Sequence, residues 1–158
     1  MMKTLITPEQ TVSLAFADAE YISPESIGNA DIVAATARYL QPIMGQSLID
    51  ALANGEHTTL LEQYVAPALA FAVRLLVQPA LFLRMGDGGL MAPRSDSGTA
   101  PNSSAVEALQ RSVKKRTRQL LKRLSAHLNA NAESYPQYNP KLNTLNRCSI
   151  DGGIVQTF

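Results

Sequence analysis

The chain has 158 residues, 46% of them hydrophobic and 17% charged. That length fits one domain, and the apolar share excludes a disordered chain and suffices for one core. A single cysteine, Cys148, excludes an internal disulfide and a cysteine-cluster metal site. The net charge is +1, but residues 1–100 carry five Lys/Arg against ten Asp/Glu, and residues 101–158 carry nine against three. Halves with net charges of −5 and +6 indicate an interaction surface.

Helix signals begin close to the N-terminus. Thr7-Pro8-Glu9-Gln10 predicts a capping box with proline in the first turn, and the helix is expected to run to about Ala19. Ser23-Pro24-Glu25 is a second helix-start signal, again with a capping residue followed by proline. Gly28 and Asn29 interrupt it, so this segment is either a short helix or only a turn.

Two further helices are predicted before residue 55. Apolar residues three and four apart predict a helix from Ala30 to Leu40, with a kink or break near Gln41, since Pro42 is awkward inside a helix. Gly45 fits a helix stop. A short helix is then expected over residues 46–53, ended by Asn54-Gly55.

The most apolar segment predicts a central helix from Leu60 to about Arg84, capped by Thr58 or Thr59. Pro67 and Pro79 each remove a backbone donor, which predicts a kink at each proline or a split into two helices. Four residues of this helix are expected to be deeply buried in the core: Leu69, Val73, Leu76 and Leu81.

The same segment is long enough to cross a bilayer. Arg74 lies at its centre, however, and a charge at the bilayer midplane is costly. A helix buried in a globular core is therefore the preferred interpretation, and no membrane contact is expected. No signal peptide is expected either, because residues 1–7 lack a long apolar run before a small-residue cleavage site.

A long mobile loop is predicted over residues 86–104, which are rich in Gly, Ser and Pro. The last long helix is expected to run from Ala105 to about Asn129, with Ser103 or Ser104 as its cap. One face of this helix is apolar, and the rest of it carries half of all Lys and Arg in the chain.

The residues after this helix predict an extended C-terminal tail or arm, 131–158, distinct from a helical domain, 1–130. Tyr135 to Tyr138 spell YPQY and suggest a segment packed by its aromatic rings. Asp151-Gly152-Gly153 is a weak hairpin signal. An arm that pairs with another subunit is the alternative.

Residues that could carry chemistry are few. His57 and His127 form no metal-binding motif, and Cys148, although it follows Arg147, has no identifiable base. The glycines of residues 86–89 follow a helix rather than a strand, so they do not predict a phosphate-binding loop. We therefore expect no enzymatic activity, no cofactor, no metal and no small-molecule substrate.

The basic side of the last helix is the strongest candidate site. It is either a solvated helix face or a contact surface for something anionic. A DNA backbone or the acidic face of a protein partner would fit, whereas the long preceding loop argues against a helix-turn-helix. The residues predicted to contact an anionic partner are Arg111, Lys114, Lys115, Arg118 and Lys122.

The order of three short motifs resembles that of phage and prophage head–tail connector (adaptor) proteins. Tyr39 to Leu48 reads YLQPIMGQSL, Val65 to Ala70 reads VAPALA, and Tyr135 to Tyr138 reads YPQY. The similarity covers roughly residues 4–138. Met44 stands where the family usually has leucine, and residues 139–158 match nothing in it.

This resemblance implies an all-α protein without catalytic residues. It would be one subunit of a ring at the virion head–tail junction, made in the host cytoplasm. Its partners would be further copies of itself, the portal protein, the tail-side connector proteins and, by non-specific contact, the packaged DNA. The fold we predict is a bundle of four to six helices around the central apolar, kinked helix. The alternative function is a non-enzymatic nucleic-acid-binding accessory protein that uses the basic helix, residues 105–129.

Overall fold

The computed structural model describes residues 3–17, 22–82, 84–86, 89–91, 103–151 and 154–157. Five helices make up most of this part of the chain, which confirms the predicted all-α class with four to six helices. They are α1 (Pro8–Ala15), α2 (residues 29–44), α3 (Gln46–Ala53), α4 (residues 58–82) and α5 (Ser103–Ala130).

Short elements connect or follow these helices. Single 3₁₀ turns lie at Pro24–Ser26, Ala132–Ser134 and Thr144–Asn146. Strand β1 (Arg84–Gly86) pairs antiparallel with β2 (Gly89–Met91), and β3 (Cys148–Asp151) pairs antiparallel with β4 (Ile154–Thr157). The hairpin predicted near the C-terminus is therefore present, with Ile150 opposite Val155. At Pro24 the chain forms only a turn, the second of the two alternatives.

Helix α1 begins as predicted and ends earlier. Thr7 Oγ1 accepts from the Gln10 N–H at 3.3 Å, and Gln10 Oε1 accepts from the Thr7 N–H at 2.9 Å, which completes the capping box. The helix stops at Ala15 because Phe16 is extended and the buried Arg74 guanidinium donates to the Ala15 carbonyl. The predicted end near Ala19 is wrong, and Ala19 itself lies outside the described residues.

Helices α2 and α4 each contain a proline that is preceded by a π turn. A π turn, Thr36–Leu40 in α2 and Leu61–Val65 in α4, ends two residues before Pro42 and Pro67. The N–H of the residue just before each proline bonds to the carbonyl five residues back. This wider turn accommodates the missing donor and the bulk of the proline ring.

Of the kink or break predicted near Gln41, the break is wrong, since α2 continues to Met44. Helix α4 likewise continues through Pro67, and Pro79 lies inside it.

Tight turns bound α3 on both sides. Gly45, with φ 78° and ψ 158°, separates α2 from α3 in a conformation nearly restricted to glycine. At the other end, the Gly55 N–H bonds to the Leu52 carbonyl and the Glu56 N–H to the Ala51 carbonyl, a Schellman motif. Both predicted stops, at Gly45 and at Asn54-Gly55, are confirmed.

Helix α4 begins at Thr58 after a left-handed residue, His57, with φ 53°. The predicted caps are therefore wrong, because Thr58 and Thr59 lie inside the first turn. Only Glu56 and His57 lie between Gly55 and the helix, so the chain turns into α4 through His57 itself. Histidine is among the non-glycine residues enriched in this region.

The core is centred on the middle of α4. Leu69 and Val73 are fully buried, as predicted, whereas Leu76 and Leu81 are only partly buried. Leu76 lies outside the buried side of α4, since its neighbours Arg74, Val77 and Gln78 are buried, and Leu81 lies in the last turn of the helix.

One helix among the described residues is long and apolar enough to cross a membrane by length and composition. It is Thr58–Leu81, with a mean hydropathy of 1.5. Half of that window is buried inside the fold, and a core helix of this kind meets the same two criteria. The buried Arg74 lies within it.

Helix α5 packs along α4. Its Thr117 hydroxyl lies 3.2 Å from the Phe71 carbonyl and 2.8 Å from the Val113 carbonyl, so a buried polar group is satisfied between the two helices. The helix begins at Ser103, two residues before the predicted start. Of the loop predicted over residues 86–104, Gly89–Met91 forms strand β2, and residues 87–88 and 92–102 lie outside the described residues.

Candidate functional site

Five cationic side chains project from one side of α5. We call Arg111, Lys114, Lys115, Arg118 and Lys122 the basic face. At 100° per residue these positions fall within roughly a third of the helix circumference. All five are exposed, and together with Gln119 they line a shallow open depression. The structure therefore brings together all five residues that the sequence predicted as a contact surface.

Few charges among the described residues oppose this face. Arg111 lies 4.0 Å from Glu107 one turn earlier, with both side chains about 70% exposed, so that pair is weak. In the described part of the chain no carboxylate lies within 4.0 Å of Lys114, Lys115, Arg118 or Lys122. The cations are thus available to an external anion.

The other two cations of α5 have a different role. The guanidinium of Arg116 lies 5.3 Å from the centre of the Phe71 ring, and that of Arg123 lies 4.6 Å from the centre of the Tyr64 ring. Such contacts contribute about 0.5–1 kcal/mol each at exposed sites. Both rings belong to α4, so Arg116 and Arg123 help to fix α5 against the core.

Residues 131–147, here called the C-terminal strap, fold back on α5. Asn143 is fully buried and donates to the Ser125 hydroxyl at 2.8 Å and to the Tyr138 hydroxyl at 2.7 Å. Its carbonyl oxygen accepts from the Leu145 N–H at 2.9 Å. Tyr138 in turn donates to the carbonyl oxygen of Asn129 at 2.7 Å. The strap is therefore held by neutral hydrogen bonds whose buried members are all satisfied.

An aromatic cluster joins the strap to the start of α4. Tyr135 lies edge-on to His57, with ring centres 5.0 Å apart, and its hydroxyl lies 3.0 Å from His127 Nε2. The other face of the cluster is Tyr64, stacked on His127 with ring centres 4.0 Å apart. Gln137 lies 3.3 Å from His57 Nε2 and donates to Glu56 at 3.1 Å.

Burial raises the pKa of Tyr135, and the nearby Tyr64 adds to the effect. Sequence reasoning missed this cluster, although it noted both histidines and the YPQY motif. His57 and Tyr135 are far apart in sequence, so their contact could not be predicted from spacing. Only the aromatic, amphipathic character of these residues indicated that they could pack together.

Other candidate chemistry is limited in the described residues. No group of three or more His, Cys, Asp or Glu side chains among them is placed to hold a metal ion. An open groove of about 400 Å³ lies between the N-terminal segment, the π turn of α2 and α3, with Lys3, Thr36 and Asp50 in its lining. Among the described residues, its lining contains no histidine and no cysteine.

The chain belongs to a family of unknown function, DUF6712, whose model matches residues 32–147. The match runs from α2 to the end of the C-terminal strap and includes the whole basic face. Neither curated proteins nor solved structures gave a match.

Proposed function

We propose that the protein is a structural subunit of a phage or prophage head–tail connector. In this role it assembles head-to-tail with copies of itself at the virion head–tail junction, between the portal protein and the tail-side connector proteins. The observation that carries the proposal is that the helical segments holding the first two motifs that resemble the connector family contact each other, and that the turn following the third motif contacts the first.

Contacts between elements support this view of the motifs. The last turn of α2, Gln41–Met44, contacts the strap turn Thr144–Asn146, which follows YPQY by a few residues. The Ala66–Phe82 part of α4, with the second motif, contacts the π turn Thr36–Leu40 of the first. The first two motifs also contain the two π turn–proline steps, at Pro42 and Pro67. Two motifs that lie on contacting elements and share the same π turn–proline step support common ancestry better than separate chance matches do.

The distribution of charge supports a subunit with unlike sides. Among the described residues, most exposed carboxylates lie on α1, α3, α4 and the connections before α5, whereas the basic face lies on α5. A ring requires a heterologous interface, in which one surface of a subunit meets a different surface of the next. Unlike charged surfaces orient such docking, and apolar contacts supply most of the affinity. The exposed carboxylates before α5 are Glu9, Glu25, Asp50, Glu56 and Glu62, while Glu107 on α5 and Glu133 in the strap are exposed as well.

Size-exclusion chromatography with light scattering tests the proposal. The protein is measured alone at low and high concentration, and then with the portal protein from the same genome. We expect co-elution with the portal as one complex that holds many copies of the chain. Separate elution of the two proteins at every concentration would contradict the proposed function.

A further inference from the structure

We propose that the basic face of α5 binds the phosphate backbone of duplex DNA without reading its sequence. The inference deepens the proposed function and rests on it for its setting, because a head–tail junction surrounds the path of the genome. The binding chemistry itself depends only on the five cations of the basic face.

The dimensions of the basic face match a DNA backbone. Arg111 and Lys122 are eleven residues apart, which corresponds to about 16 Å along a helix. Consecutive phosphates of one DNA strand advance about 3.4 Å along the duplex axis, so the basic face covers the rise of about five base pairs. Lys114, Lys115 and Arg118 fill the interval between its two ends.

The composition of the face favours nucleic acid over a protein partner. Protein interfaces have a desolvated core enriched in aromatic residues and depleted in lysine. Three of the five residues here are lysines, and no aromatic or aliphatic residue of the described ranges lines the depression. Protein–DNA interfaces are more polar and much more positively charged, which is the composition observed.

The packing of α5 against the core also favours contact between the basic face and a DNA backbone. Helix α5 has 28 residues, and its apolar side is buried against α4. Arg116 and Arg123 are held over aromatic rings at its flank, so the basic face projects from a fixed support. Lysine and arginine without interleaved aromatics fit sequence-independent phosphate contact better than base reading.

Fluorescence anisotropy with a short labelled duplex of mixed sequence tests the inference on the unmodified full chain. Affinity is measured as the salt concentration rises. Four or five phosphate contacts predict a log–log slope of about −3.6 to −4.5, since each contact contributes about −0.9. Between about 50 and 200 mM salt this slope corresponds to a loss of roughly 10²- to 10³-fold.

Two matched quadruple variants separate the basic face from net charge. The first replaces Lys114, Lys115, Arg118 and Lys122 with Gln. The second replaces four exposed cations elsewhere, Lys3, Arg38, Lys141 and Arg147, with Gln and changes the net charge equally. We expect the first variant to lose at least about tenfold in affinity at low salt, with a log–log slope of about −1. The second variant should keep most of the affinity and most of the slope of the unmodified chain.

Three results would overturn the inference: no measurable binding even at low salt, equal loss in the two variants, or a slope near zero in the unmodified chain. The slope needs no variant, so it decides the question even if a variant fails to fold. If DNA does not bind and the first variant no longer assembles with the portal, the face is a protein contact, and the connector function stands without the DNA contact. If DNA binds but no complex with the portal forms, the proposed connector function is rejected, and DNA binding by the basic face stands.

Discussion

His127 Nε2 lies 3.0 Å from the Tyr135 hydroxyl, so one hydrogen bond joins the last turn of α5 to the C-terminal strap. Tyr64 of α4 stacks on the other side of the same imidazole. Three segments of the fold therefore meet at one histidine.

Removal of the Tyr135 hydroxyl should weaken this junction. We expect Tyr135→Phe to lower the free energy of unfolding by about 0.5–1.5 kcal/mol, the usual net contribution of one hydrogen bond. Tyr39→Phe is the matched control, because the described structure gives the Tyr39 hydroxyl no hydrogen bond. Urea denaturation measures both. Equal values for the two variants would contradict the role of Tyr135.

The raised pKa of Tyr135 predicts a loss of stability in strong base. The folded state holds the phenol proton more tightly than the unfolded chain, since burial, and next the nearby Tyr64, disfavours the phenolate. The contribution of the protonated Tyr135 to the free energy of unfolding is complete below about pH 10, the ordinary pKa of tyrosine. It is lost as the pH rises through the higher folded-state pKa. Ultraviolet titration of the chain and of Tyr135→Phe should show that the missing tyrosine titrates above its ordinary pKa. Titration at or below it would refute this prediction.

Asn143 should be more important for stability than its place in a polar segment suggests. It is fully buried and makes three hydrogen bonds. Asn143→Ala leaves buried groups without partners, which costs about 1–3 kcal/mol. Asn139→Ala, at an exposed strap residue with one hydrogen bond, should cost less than about 1 kcal/mol. Thermal unfolding of both variants checks the order, and a larger loss for Asn139→Ala would show that the strap is held differently.

Gly45 should resist substitution for a backbone reason. A Cβ at Gly45 meets nothing within 4 Å, so any cost comes from φ 78° alone. Gly45→Ala should therefore destabilise the fold by about 1–3 kcal/mol. Gly28 has φ −81°, and a Cβ there would lie 3.3 Å from the end of the Asp31 side chain, which can shift. Gly28→Ala should therefore cost at most about 1 kcal/mol, chiefly through the weaker helix cap. If denaturant unfolding ranked the two in the opposite order, the turn between α2 and α3 would not depend on glycine.

Local signals in the sequence predicted local features well. The capping box at Thr7, the stop at Gly45 and helix α3 each depend on residues a few positions apart. The position of five basic residues on one side of α5 follows from helical spacing alone.

Features that depend on distant residues were not predicted. Helix α1 ends at Ala15 because of Arg74, which is 59 residues away. The cluster around Tyr135 unites His57 with His127, and neither has a partner that is visible in the linear sequence. The π turns before Pro42 and Pro67 also escaped prediction, because the penalty for proline inside an α-helix indicates a break, not a wider turn.

Electron microscopy of the protein bound to the portal tests the connector proposal most directly. Our account predicts a closed ring on one side of the portal, with copies of the chain related by the portal's own rotation axis and joined through unlike surfaces. A portal that remains bare, or isolated twofold dimers of the chain, would contradict it.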